Sequence, residues 1–121
     1  MSITILTPSE WNFVPPAQRG AAGGATLLGQ QLRAENPVLF LLEEPPDTYT
    51  SAHSHSEPEV IVVLEGRLMF NGKWCETGSV IYVPANEDYW HSTGDVRCVV
   101  ALMRPTTRGK IKYAEEAVAA Q

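Results

Sequence analysis

Three histidines stand in this chain, at positions 53, 55 and 91, and the first two are separated by a single residue. In an extended strand successive side chains alternate faces, so His53 and His55 project to the same side. Glu59 follows after a kink at Pro58 and leads into the apolar run 60–64 and Gly66. Imidazoles on one side with a carboxylate returning beside them make a donor set for iron, manganese, nickel or zinc, among which geometry chooses rather than raw affinity. Taken alone, a His-Ser-His segment is more often an exposed loop than a pair of ligands. His91 shifts that balance, because it lies just past a second strand-like segment, 78–84, and one site can collect all three histidines. A metal centre is the expectation.

The elements that must position these residues read as strands. Segment 38–42 is a short apolar strand after the Asn36-Pro37 turn, and 43–47 (EEPPD) reads as a break before 48–51 and the histidines. Segment 59–64 is apolar on both faces, which implies cover on both. Strands at 67–70 and 73–76 flank Asn71-Gly72, a strong hairpin signal because both central positions of a type I′ turn need positive φ. Further strands are expected at 79–83, 89–92 and 96–103, with 85–88 a loop. Segment 25–34 fits a strand better than a short helix. Residues 1–24 form a lead-in broken by Pro8, Pro15 and Pro16 and ending in a glycine-rich loop. Segment 104–112, with Pro105 and Gly109, reads as a solvated loop, and 113–120 (YAEEAVAA) as the one helix. Many short strands punctuated by turn residues point to an antiparallel sandwich or closed barrel. The expected organisation is one domain over 1–121, with the barrel at 25–104 and a tail carrying the helix at 105–121.

Composition narrows the function. A chain of 121 residues with 44% hydrophobic and 19% charged residues is an ordinary single-core globular domain. The formal net charge of −5 argues against nucleic acid, whose phosphates require a basic surface. No apolar run approaches the roughly 20 residues of a membrane span. The N-terminus has neither a basic start nor a long apolar segment, so a secretory signal is not expected and a cytoplasmic location is. The two cysteines, Cys75 and Cys98, are expected to stay reduced.

The spacing His53-x-His55, three residues, Glu59, six residues, Gly66 resembles the first motif of the cupin family. Gly78, five residues, Pro84 resembles the opening of the second. The resemblance covers 47–95 and implies an all-β fold, a single-domain cupin jelly-roll β-barrel, with a metal held by three histidines and a glutamate. Three positions depart from the family pattern. Asp47 and Asn86 stand where glycines are usual, and Tyr89 stands where the third histidine is usual. His91 comes two residues later, on the same face of a strand but roughly 6.5 Å along it. Either the loop 85–88 absorbs the shift and His91 ligates, or Tyr89 takes the ligand position and His91 lies beside the metal. His91 is the preferred ligand, giving the set His53, His55, Glu59 and His91.

Four protein ligands on an octahedral metal leave two positions open. The first expectation is one divalent metal, Fe(II) before Mn, Ni or Zn, in a dioxygenase acting on a small oxygen-chelating substrate. The alternative is a Lewis-acid centre for a lyase or isomerase step, with Tyr89, Glu57 or Tyr82 as the general acid or base. A non-catalytic ligand-binding cupin is the third reading, disfavoured by a complete ligand set. Arg104, after the last strand, reads as a surface residue more readily than as a partner for a substrate carboxylate. The apolar set Val60, Val62 and Leu64 needs burial, and small cupins commonly dimerise, so a homodimer is expected.

Overall fold

The computed structural model describes residues 3–15 and 27–114. Its strands are β1 (Leu28–Arg33), β2 (Val38–Glu44), β3 (Tyr49–His55), β4 (Glu59–Glu65), β5 (Arg67–Phe70), β6 (Lys73–Glu76), β7 (Val80–Val83), β8 (Tyr89–Ser92), β9 (Cys98–Arg104) and β10 (Ile111–Tyr113). They form two antiparallel five-stranded sheets, ordered β1-β2-β9-β4-β7 and β10-β3-β8-β5-β6. The first sheet is stitched to the lead-in by Val14, which bridges Gly29.

Alternation decides which side of each strand is buried. In β4, Glu59, Ile61 and Val63 turn inward and are 1%, 3% and 1% exposed. Phe40 and Leu42 of β2 and Val100 and Leu102 of β9 meet them from the same sheet, and Leu68 and Tyr89 come from the second. The two sheets therefore enclose one core, as a jelly roll. Among the described residues no ladder joins the edges of one sheet to those of the other, so the expected closed barrel is an open two-sheet structure.

Three boundaries differ from expectation. β2 does not break at 43 but continues through Glu43 and Glu44, which pair with Val99 and Cys98 of β9. The turn begins at Pro45 instead, and Asp47 adopts φ 55. Segment 104–112 is not wholly loop, because Ile111 and Lys112 enter β10 and pair with His55 and Ser54 at the edge of β3. Tyr113, expected to open a helix, belongs to that strand opposite His53, and residues 115–120 of the expected helix lie outside the described residues. The hairpin at 71–72 is as expected, with φ 47 at Asn71 and 88 at Gly72. Cys75 and Cys98 are both free thiols.

The outward side of β4 is not covered. Val60 and Val62 are half-buried and Leu64 is exposed, next to Val80, Tyr82 and Met103 at 69%, 66% and 44% exposure. Among the described residues, cover on both faces of this strand is not found.

Candidate metal and acid–base site

Between the sheets lies a cavity of about 140 Å³ whose wall contains His53, His55, Glu59, Tyr89, His91, Arg104 and Glu44. The local folding explains the convergence. β3 belongs to one sheet and β4 to the other, and residues 56–58 carry the chain across between them. His55 at the end of β3 and Glu59 at the start of β4 therefore face the same space. β8 lies beside β3 with Tyr89 opposite His53 and His91 opposite Thr50. The register shifts between Thr50 and His53, a bulge that adds one residue to β3. Tyr89 and His91, two apart on one strand, share a face, and both line the cavity rather than one displacing the other. The loop before β8 is fixed by Asn86, at φ 64, whose amide donates to the His55 carbonyl at 2.7 Å. Asp47 and Asn86, which replace the family's glycines, both hold the left-handed backbone that those glycines serve.

Each polar group in the wall has a defined partner. The Tyr89 hydroxyl donates to Glu59 Oε1 at 2.7 Å, and Arg104 Nε donates to Glu59 Oε2 at 2.6 Å. Glu59 thus holds two donors while its side chain is fully buried. His53 Nδ1 lies 2.8 Å from the carbonyl of Ser51, within the bulge of β3. A carbonyl only accepts, so Nδ1 carries the proton and Nε2 keeps the lone pair. His91 Nδ1 lies 2.7 Å from Glu44 Oε1, and the carboxylate fixes the same tautomer. The His55 ring makes no hydrogen bond among the described residues, and it sits 5.1 Å from the ring of His53.

Burial keeps two of these imidazoles neutral. Desolvation pushes the His55 pKa down to about 4, against the opposing pull of the Glu59 charge. Desolvation also lowers that of His53, with the Ser51 carbonyl working the other way. The Tyr89 phenol is pushed strongly upward, first by burial and then by the Glu59 charge, so it remains a proton donor.

Glu57 does not reach the cavity. Its carboxylate is held by the amide and hydroxyl of Thr106 and ties down the segment before β10, which gives it a structural role in place of the catalytic one considered from sequence. Tyr82, the other candidate base, points to the outside and is 66% exposed. Two residues of the site were not singled out from sequence as members of it. Glu44 was assigned to a break, although the inward alternation Phe40, Leu42, Glu44 is the signal that finds it. Arg104 was read as a surface residue, yet its side chain is only 18% exposed.

The donor set has the chemistry of a metal centre. Metal-bound histidines characteristically anchor their second ring nitrogen on a carbonyl or carboxylate, as His53 and His91 do here. Glu59 differs, because both its oxygens are already engaged, and among the described residues no three such side chains stand at ligating distance of a common point. The three imidazoles have the donor chemistry a metal takes, but they do not converge at ligating distance in this structure. Glu59 fits only by exchanging one of its present partners.

No protein-family model matches this chain, and no curated protein does. Solved structures do. The polyketide cyclase RemF from Streptomyces resistomycificus is 20% identical, with a TM-score of 0.72 over 93% of this chain and 86% of that one. An RmlC-like cupin protein from Ralstonia eutropha is 10% identical, with a TM-score of 0.68 over 99% and 85%. The DMSP lyase DddQ from Ruegeria pomeroyi is 14% identical, with a TM-score of 0.64 over 85% and 60%. These likenesses are likenesses of fold. The fold is that of the small RmlC-like cupins. Among the described residues no helix is long and apolar enough to cross a membrane.

Proposed function

We propose that this protein is a small metal-dependent cupin enzyme acting on a small organic molecule with adjacent oxygen donors. The observation that carries the reading is the anchoring of His53 and His91 through Nδ1, which presents Nε2 as the lone-pair donor beside the unanchored and neutral His55. His53, His55 and His91 would hold one divalent transition metal, with Glu59 completing the set when it exchanges a donor. When bound, such a metal polarises a carbonyl or stabilises an enolate.

The chain's own groups supply acid–base capacity. Tyr89 donates its hydroxyl proton in a hydrogen bond to Glu59, so a phenol and a carboxylate stand on the same wall. Arg104 orients the carboxylate from its other oxygen. Ile61, Leu68 and Leu102 limit water in the rest of the cavity. This arrangement favours a non-redox step, of lyase, isomerase or cyclase type. The names of two fold neighbours, a cyclase and a lyase, agree with an enzymatic use of the fold. A dioxygenase is the second reading, favoured by an imidazole-rich donor set that suits Fe(II). A second copy of the chain covers the outward face of β4, making the enzyme a homodimer.

Elemental analysis of the purified protein, paired with oxygen uptake on a panel of diketones and hydroxyketones, tests the reading. Stoichiometric metal without oxygen uptake supports the non-redox step, and iron with uptake supports the dioxygenase. Full metal occupancy in His53→Ala, or none in the parent after reconstitution, overturns the metal centre.

A further inference from the structure

Arg104 closes β9 where that strand lies between β2 and β4. Its guanidinium sits over the Phe40 ring, with the central carbon 5.1 Å from the ring centroid, and donates to Glu59 through Nε alone. A guanidinium carries five N–H donors in a planar fork. Among the described residues the two terminal nitrogens of Arg104 donate to no partner, and neither is sealed from solvent. The side chain belongs to the cavity wall, and its charge is felt by His53, His55 and Tyr89 across that space.

We propose that Arg104 is the specificity-determining residue of the cavity, and that the substrate carries a carboxylate which the terminal nitrogens of this guanidinium bind. The inference rests on the reading of the cavity as a substrate site and names the substrate's class. A planar fork with two unused terminal amino groups matches the two oxygens of a carboxylate. The carboxylates already in the wall do not compete for it. Glu59 is satisfied by Tyr89 and by Nε of the same arginine, and Glu44 is satisfied by His91. The cavity is small, about 140 Å³, which favours a small acid. A small 2-oxo acid meets both demands, with its carboxylate on Arg104 and its keto oxygen turned toward the histidines.

Pyruvate and 2,3-butanedione test this, because they are near-isosteric and differ in a carboxylate against an acetyl group. Titration calorimetry on the protein as purified should show pyruvate binding more tightly, on the order of tenfold to a hundredfold, as charge-assisted hydrogen bonds do. In Arg104→Gln the ratio should fall toward one, and in Arg104→Lys it should be intermediate, since an ammonium keeps the charge without the fork. Equal affinity for the two probes, no binding of pyruvate at millimolar concentration, or a ratio that survives Arg104→Gln overturns the assignment. Should the glutamine variant fail to fold, the parent ratio and the lysine variant decide it. Metal content of the same samples separates the two readings. Arg104-dependent preference in protein that takes up no metal on reconstitution removes the metal centre alone, and metal without preference removes the Arg104 assignment alone.

Discussion

The two faces of β4 carry similar numbers of apolar side chains and have opposite fates. Inward, Ile61 and Val63 are buried to a few per cent and share their face with Glu59, a carboxylate at 1% exposure. Outward, Val60, Val62 and Leu64 stay half-buried or exposed beside Val80, Tyr82 and Met103. Hydrophobicity therefore does not decide which face becomes interior. The interior is the face for which partners exist, and a charge enters it because Tyr89 and Arg104 meet both its oxygens. Among the described residues the outward face lacks a second layer.

The largest effect expected from this contrast follows removal of the inward charge. Glu59→Ala leaves the Arg104 guanidinium without its counter-ion and the Tyr89 hydroxyl without an acceptor, which should cost about 3–5 kcal/mol of stability. Val60→Ala, one residue away on the other face, should cost less than about 1.5 kcal/mol. Urea titration of both variants checks the difference. Equal losses would mean that the buried network does not set the inward face apart.

Acidification probes the same face. The unfolded chain protonates His55 at its ordinary value near 6.5, and the folded chain only near 4. Between these values the unfolded state holds more protons, so stability is complete above about 6.5 and is lost as pH falls to about 4. At about 1.4 kcal/mol per pH unit, this group contributes about 3 kcal/mol at most to the metal-free protein. His53 adds to the loss in the same direction. Melting curves of metal-free protein across that range should show the slope, and His55→Asn should flatten it. An unchanged slope in the variant would assign the acid sensitivity to other groups.

Glu44 extends the inward face from β4 to β2. It holds the Nδ1 of His91, and support of this kind alters metal affinity by about 10–100-fold. Glu44→Gln keeps the shape and weakens the acceptor, so competition against a chromophoric chelator should reveal a loss of that order. Unchanged affinity would mean that Glu44 gives His91 no support as a metal ligand.

The parts of this site that were legible in the sequence are those whose signal is local. His53 and His55 declare a common face by spacing alone, and Asn71-Gly72 declares a turn by its need for positive φ. The jelly roll followed from such punctuation together with the motif spacing. Glu44 was missed because Pro45 and Pro46 drew the break two residues early, whereas the ladder to β9 carries β2 through both glutamates. Arg104 was missed because its burial depends on meeting Glu59, which lies 45 positions away in sequence. The choice between Tyr89 and His91 could not be made locally either. Two apart on β8, both side chains face inward and line the cavity, so spacing alone does not choose between them. The edge strand β10 is three residues long, too short for its Ile-Lys-Tyr alternation to stand out in the sequence, and it forms by pairing with β3.

The smallest expected change in the chain's own stability lies on the outward face. Val62 sits in the middle of it, opposite Val80 on one side and Ala101 on the other. A lysine there can lift its ammonium into water, so Val62→Lys should alter the stability of the single chain by no more than about 0.5 kcal/mol. In a dimer that buries this face, the same ammonium would lie in an apolar contact without a partner, and a standard interface of about 1,600 Å² does not absorb such a charge at its centre. Sedimentation velocity should therefore find the parent protein as a dimer and Val62→Lys as a monomer, with the far-ultraviolet dichroism of the two alike. A parent that sediments as a monomer at micromolar concentration would leave the outward face of β4 as ordinary surface, and the two faces would then differ only in what the chain itself provides to cover them.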